Sequence, residues 1–183
     1  MGNLISPFIA LLFLSMLVCS CGKNLPANLK GGTLPGENAP YGSGSQFLKG
    51  SLVFTDGQTV VVNELLQKPL VLIFSQDSCI ICRAETKMLV EKFVNLGGPP
   101  KNIDLYTVLI ATVLEDAQDF KQSFGIPWGV GFQTNDVLFR SSCPNFKVPC
   151  VVVELPTQGF VFQKTGEFQI EEIEKYTGPW SYR

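Results

Sequence analysis

The succession of apolar runs and turn signals predicts an α/β domain with a β-hairpin at its front, spanning residues 47–183. Three observations carry that prediction. Leu70 to Phe74 and Ile103 to Ala111 are continuous β-favouring runs, the pattern of strands buried on both faces of a mixed or parallel sheet. Each is followed by a segment with helical spacing, the alternation that marks an α/β architecture. A hairpin pattern precedes the first run and another hairpin closes the domain. With 183 residues, 45 % of them hydrophobic and 16 % charged, the chain holds one well-buried domain plus an appendage.

The elements follow in order. Leu52 to Phe54 and Val60 to Val62 flank Asp56-Gly57 and read as the leading hairpin. Leu65 and Leu66 close a short helical turn, and Lys68-Pro69 leads into the strand Leu70 to Phe74. From Cys79 to Leu96 the residues Cys82, Met88, Leu89, Lys92 and Phe93 fall in helical register, and Gly97-Gly98-Pro99-Pro100 ends the helix. The strand Ile103 to Ala111 comes next, then an amphipathic helix from about Glu115 to Phe124, closed by Gly125 and Pro127. Residues 128–140 read as irregular, with Trp128 in a loop as a packing residue or, if exposed, a contact for a partner. Val151 to Leu155 and Phe160 to Gln163 form a hairpin across Pro156 to Gly159, and a last helix runs from about Gln169 to Tyr176. Phe74, Phe93, Phe120, Phe124 and Phe162 sit at core-compatible positions.

The first twenty residues differ from the rest. Pro7 to Val18 is almost wholly apolar, too short for an ordinary transmembrane helix and fitting the h-region of a signal peptide. It ends in Leu17-Val18-Cys19-Ser20-Cys21-Gly22, which resembles a bacterial lipobox with Cys21 as the lipidated residue. The n-region lacks the usual Lys or Arg. A signal peptide cleaved without lipidation and an uncleaved anchor are alternatives, as is N-myristoylation at Met1-Gly2-Asn3-Leu4-Ile5-Ser6. The organisation expected is therefore a lipoprotein signal peptide over 1–20, a Gly-, Asn-, Pro- and Ser-rich tether over 21–46, and the folded domain.

Composition removes several function classes. A net charge of −2 without a basic cluster gives no footprint for nucleic acid. The absence of His excludes Ser-His and Cys-His catalysis and the commonest metal ligand. The constellation that carries chemistry is a cysteine pair. Cys79-Ile80-Ile81-Cys82 stands between a buried strand and a helix, where unsatisfied backbone N–H groups and the helix dipole stabilise a thiolate on an exposed first cysteine. Cys79 is the expected nucleophile. Cys82, one turn on, is placed to attack the resulting mixed disulfide and is the expected resolving thiol. The competing readings are a zinc half-site, which Cys143 and Cys150 would have to complete without the usual paired spacing, and a soft-metal site for Cu(I).

The residues Lys68-Pro69-Leu70-Val71-Leu72-Ile73-Phe74-Ser75 followed by Cys79-Ile80-Ile81-Cys82-Arg83-Ala84-Glu85 resemble the TlpA/ResA branch of thioredoxin-like proteins, over roughly Leu52 to Gly178. That resemblance implies a thioredoxin-like fold with an N-terminal β-hairpin extension. It implies an outward-facing, membrane-tethered thiol-disulfide oxidoreductase that reduces protein disulfides with electrons from a membrane partner and needs no cofactor or metal. It places an acidic residue at Glu85 to tune the proton chemistry of the pair, since a buried carboxylate exchanges protons with a departing thiolate. It places a cis proline at Pro149, where Val148 would offer its backbone to an incoming peptide. The chain departs from the family at Ser78, where Trp is usual, at Ile80-Ile81, which contains no Pro, at Thr86-Lys87, where a Pro is missing, and at Cys150, where Thr is expected.

Cys143 and Cys150 admit a structural disulfide, an auxiliary redox pair or free buried thiols. The expected partners are protein thiols and disulfides, a membrane-bound electron donor, and the membrane itself through the anchor. The expected location is the periplasmic side of a bacterial cell envelope. Gly22 after Cys21, in place of Asp, leans toward the outer membrane of a Gram-negative cell.

Overall fold

The computed structural model describes residues 47–182, apart from 112, 134 and 135. The signal peptide expected over 1–20, the tether over 21–46 and the lipidation at Cys21 lie outside the described residues. Among those described, no helix is long and apolar enough to cross a membrane.

A seven-stranded sheet runs through the domain. Its strands are β1 (Ser51–Phe54), β2 (Thr59–Val61), β3 (Leu70–Ser75), β4 (Asp104–Leu109), β5 (Gly129–Phe132), β6 (Cys150–Leu155) and β7 (Gly159–Thr165), and four helices interrupt them: α1 (Ile80–Asn95), α2 (Leu114–Phe124), α3 (Val137–Ser142) and α4 (Ile170–Thr177). The spatial order is β2-β1-β5-β4-β3-β6-β7. The neighbours β3, β4 and β5 are parallel, while β6 runs antiparallel to β3, β7 to β6 and β1 to β5.

The sheet is covered on both faces, and this explains the unbroken apolar run of β3, all six residues of which are buried. Val71 and Ile73 face a core shared with Leu89 and Phe93 of α1, Ala117 and Phe120 of α2 and Ile173 of α4. Leu70, Leu72 and Phe74 face the opposite core, built with Leu48, Leu52, Leu138, Phe139 and the sulfurs of Cys143 and Cys150. Strand alternation divides one strand between two cores.

Helix α1 buries Cys82, Glu85, Thr86, Leu89 and Phe93. Met88, expected on that face, is instead 43 % exposed, because the buried stripe is centred one position further round. The predicted stop is a Schellman turn: Gly97 N–H donates to the Val94 carbonyl and Gly98 N–H to the Phe93 carbonyl at 2.8 Å, with both glycines at positive φ.

Residues 128–140 are not irregular. They contain β5 and α3, and β5 is the strand that joins the leading hairpin to the parallel core. Its two glycines dilute the β pattern yet are required by close approach. A Cβ on Gly129 would lie 2.3 Å from Cδ1 of Tyr106, and one on Gly131 would lie 3.0 Å from the Val53 carbonyl oxygen. Trp128 is buried, as a packing role requires; its Nε1–H donates to Thr107 Oγ1 at 2.9 Å and its ring meets Phe93 edge-on. The tail is also part of the core, since Trp180 packs on the same Phe93 ring and its Nε1–H donates to Thr177 Oγ1.

Candidate functional site

Strand β3 ends at Ser75, and four residues later the chain enters α1. The turn is fixed by the Cys79 N–H, which donates to the Gln76 carbonyl at 3.0 Å, and Cys79 then occupies the N-cap of α1 with extended backbone angles. Its sulfur takes the place of the usual capping oxygen: Sγ accepts the Cys82 N–H at 3.3 Å. The N-terminal end of the helix therefore faces the Cys79 sulfur. Contrary to expectation Cys79 is not exposed. It is 5 % accessible, because the segment before β6 folds over it and brings the Val148 carbonyl 3.8 Å from Sγ, within reach of the thiol proton. The exposed members of the motif are Ile80 and Ile81.

Cys82 lies one turn inside the helix, 1 % exposed. Burial pushes its thiol up to about 12; the Cys79 thiol adds to the rise, while the Gln76 backbone and the Ser75 hydroxyl pull the other way. Cys82 thus holds its proton at neutral pH, and any use of it as a nucleophile needs a nearby base. Cys79 and Cys82 are both free thiols in this structure.

Glu85 follows Cys82 at helical i, i+3 spacing, which sets the two Cβ atoms about 5–6 Å apart on one helix face. Its carboxylate is buried; Oε1 accepts the Phe168 N–H at 3.1 Å and Oε2 has no partner. Burial raises it to about 7, with the Phe168 N–H pulling down, the Glu167 charge pushing up and the Lys164 charge pulling down. A carboxyl poised near neutrality is suited to taking and giving a proton. The remaining neighbour on α1, Arg83, pairs with Asp77 at 2.6 Å and stacks over the Phe124 ring.

The Val148–Pro149 peptide bond is cis. Pro149 immediately precedes β6, its carbonyl accepting the Gly166 N–H at 2.8 Å, and it is the Val148 carbonyl before it that reaches Cys79 Sγ. Cys143 and Cys150 form a disulfide, with Cα atoms 6.1 Å apart, and both sulfurs are buried in the core opposite α1. The structure thus brings Cys79, Cys82, Glu85 and the residues around Pro149 to one end of β3, and sets the second cysteine pair behind them. Among the described residues, no group of three or more His, Cys, Asp or Glu side chains is placed to hold a metal ion.

One contributor to the site escapes sequence reasoning: Phe168 reaches Glu85 across 83 positions of chain, a contact no local pattern signals.

No family model matches the sequence, and no curated protein matches it. Solved structures do. The thioredoxin domain of a thiol-disulfide oxidoreductase from Bacteroides vulgatus is 20 % identical with a TM-score of 0.57, covering 70 % of this chain and 92 % of its own. A thiol:disulfide interchange protein from a Bacteroides species is 20 % identical with a TM-score of 0.59, the match covering 75 % of this chain and 91 % of that one. A secreted disulfide oxidoreductase of Mycobacterium tuberculosis is 17 % identical with a TM-score of 0.51, over 70 % of this chain and 93 % of that one. At these identities the likeness establishes the fold: the domain is thioredoxin-like, with an N-terminal β-hairpin extension.

Proposed function

We propose that the chain is an extracytoplasmic thiol-disulfide oxidoreductase that reduces protein disulfides through Cys79 and Cys82. The observation that carries this reading is the Cys79 sulfur capping the N-terminus of α1, one turn from a buried Cys82, which is followed at helical i, i+3 spacing by the buried Glu85. The names of the structural neighbours support it, since all three are disulfide-exchanging proteins.

In the reaction the Cys79 thiolate attacks one sulfur of a substrate disulfide. The substrate S–S bond breaks, its other sulfur leaves as a thiolate and takes a proton, and a Cys79–substrate disulfide remains. Glu85 then accepts the Cys82 proton, and the Cys82 sulfur attacks Cys79 Sγ. The second substrate sulfur departs and is protonated, the substrate is left reduced by two electrons, and Cys79–Cys82 is oxidised. A membrane-bound dithiol donor returns the pair to its free state. Exposed Ile80 and Ile81 offer an apolar approach to an otherwise sheltered sulfur, suited to polypeptide substrates. Cys21, lipidated after removal of residues 1–20, holds the domain on the periplasmic side of the cell envelope through the 21–46 tether, with the outer membrane favoured because Gly22 stands where a retaining Asp would.

Equilibration with glutathione, followed by thiol trapping and peptide mapping, tests the chemistry. A reversible Cys79–Cys82 couple with a potential near −270 mV, about that of thioredoxin, is expected; about −120 mV would make the protein an oxidant, and no couple would remove the reading. Radiolabelled palmitate incorporation that Cys21→Ser abolishes is expected of the anchor, and label persisting in that variant would remove it.

A further inference from the structure

The Cys143–Cys150 disulfide takes no part in the exchange just described, and both its sulfurs are buried at 1 % exposure or less. We propose that it is a positioning brace: it closes the loop that carries the Val148 carbonyl and so holds that carbonyl against the Cys79 thiol. This rests on the reading of Cys79–Cys82 as the exchanging pair.

The argument starts from how each side of the Cys79–Val148 contact is anchored. Cys79 follows β3 by four residues, and Val148 precedes β6 by two. The strands meet at a cross-strand pair, Phe74 opposite Cys150, with Cys150 also opposite Thr165 of β7. One end of the loop is therefore tied to the strand that delivers Cys79. The other end emerges from α3, a helix of only six residues. The disulfide ties that end to the same Cys150, across a sequence separation of 7.

The loop between has reason to relax without the cross-link. Asn145 and Phe146 adopt φ of 61° and 50°, a left-handed conformation that Asn tolerates and Phe resists. Phe146 is 41 % exposed, so its ring is only partly compensated by packing; it meets the buried Phe139 ring edge-on at 6.1 Å, lies beneath Arg140, and donates its N–H to the Cys143 carbonyl at 3.3 Å. One of these anchors is Cys143 itself, and the other two, Phe139 and Arg140, belong to α3, the helix that Cys143 caps. Freeing that residue loosens the turn and, with it, the position of Val148.

The consequence for Cys79 has a definite sign. The Val148 carbonyl accepts from the thiol proton, which exists only while the pair is reduced. Holding the carbonyl in place favours the dithiol over the Cys79–Cys82 disulfide, and releasing it favours the disulfide.

In the detergent-solubilised full chain, the oxidised fraction of Cys79–Cys82 is followed across glutathione ratios by trapping free thiols and mapping peptides. The Cys143→Ala/Cys150→Ala variant is expected to shift that equilibrium roughly threefold toward the disulfide, the worth of one weak hydrogen bond, while keeping a cooperative thermal transition. A cooperative variant with the wild-type equilibrium overturns the brace. If the variant does not fold, the wild type decides, because mass mapping separates molecules with Cys143–Cys150 intact from those with it cleaved. Coupling between the pairs is reciprocal, so a ratio of about three between the two populations supports the brace and a ratio of one overturns it. A wild type without any reversible Cys79–Cys82 couple removes the exchange reading and the brace together. A normal couple indifferent to Cys143–Cys150 removes the brace alone.

Discussion

Two cysteine pairs lie at the two ends of one loop contact, and their surroundings are opposite. Cys79 and Cys82 stand at a helix N-terminus, among backbone N–H groups and one turn before a buried carboxyl raised to about 7. Cys143 and Cys150 stand in an apolar core with Phe74, Leu138 and Phe139 for neighbours. The first pair opens a helix whose next turn carries a buried carboxyl; the second is packed among apolar side chains, and its sulfurs are bonded to each other. Under the proposed function, one pair exchanges and the other does not because of the polar groups the fold brings to each.

The sharpest way to break this comparison is to remove the sulfur at the helix cap. Cys79→Ser is expected to abolish disulfide reduction in an insulin-turbidity assay, whereas Cys82→Ser is expected to trap a stable mixed disulfide with substrate that mass spectrometry detects. Turnover surviving in Cys79→Ser would assign the nucleophile elsewhere.

Next in size is the base. Glu85→Gln is expected to slow the resolving step about 100-fold at pH 7. It should also erase the inflection near pH 7 that stopped-flow resolution rates of the wild type would show, since the carboxyl that titrates at about 7 is gone. An unchanged profile would reduce Glu85 to a packing residue.

For the second pair the expected effect falls on stability. Closing so short a loop restricts the unfolded chain by about 2–3 kcal/mol, and Cys143→Ala/Cys150→Ala should lower the urea-unfolding free energy by that amount. A loss near zero would mean that loop relaxation offsets the lost cross-link.

The smallest effect concerns a carboxyl remote from both pairs. Glu154 is fully buried in β6, its Oε1 accepting the Leu48 N–H at 2.9 Å and its Oε2 without a partner. Burial raises it from 4.5 to about 7, against the pull of the Leu48 N–H. A carboxyl raised on folding binds its proton more tightly in the native state. The stability it contributes is thus complete below about pH 4.5 and is lost as the pH rises through 7. Glu85 acts in the same direction over the same window. Unfolding free energies measured from pH 4 to 8 should fall by at most roughly 1.4 kcal/mol per pH unit for each group, and Glu154→Gln should flatten its share. A wild-type curve that rises across this window would contradict the burial of both carboxyls.

The strands and long helices were legible because local pattern and global burial agree in them. The apolar run Leu70 to Phe74 is apolar because both faces of β3 are covered, and Gly97-Gly98 stops α1 because only left-handed residues make its closing turn. Strand β5 was illegible for the converse reason: Gly129 and Gly131 are chosen for the Tyr106 ring and the Val53 carbonyl across the sheet, not for strand propensity. Helix α3 is too short for a periodicity to register. At the site, the spacing of Cys79, Cys82 and Glu85 on one helix was readable, because it depends on helical geometry alone.

What the sequence determined by itself is thus the order of the major elements, the cysteine pair at a helix start and the carboxyl one turn beyond, all consequences of interactions within a few residues. Only the tertiary structure decided that Cys79 is sheltered, that Val148 faces it, that Phe168 meets Glu85, and that Cys143 and Cys150 are joined. Those contacts join segments far apart in the chain or depend on a loop's three-dimensional path, and their distances are set by how the sheet packs its two cores, which no local pattern encodes.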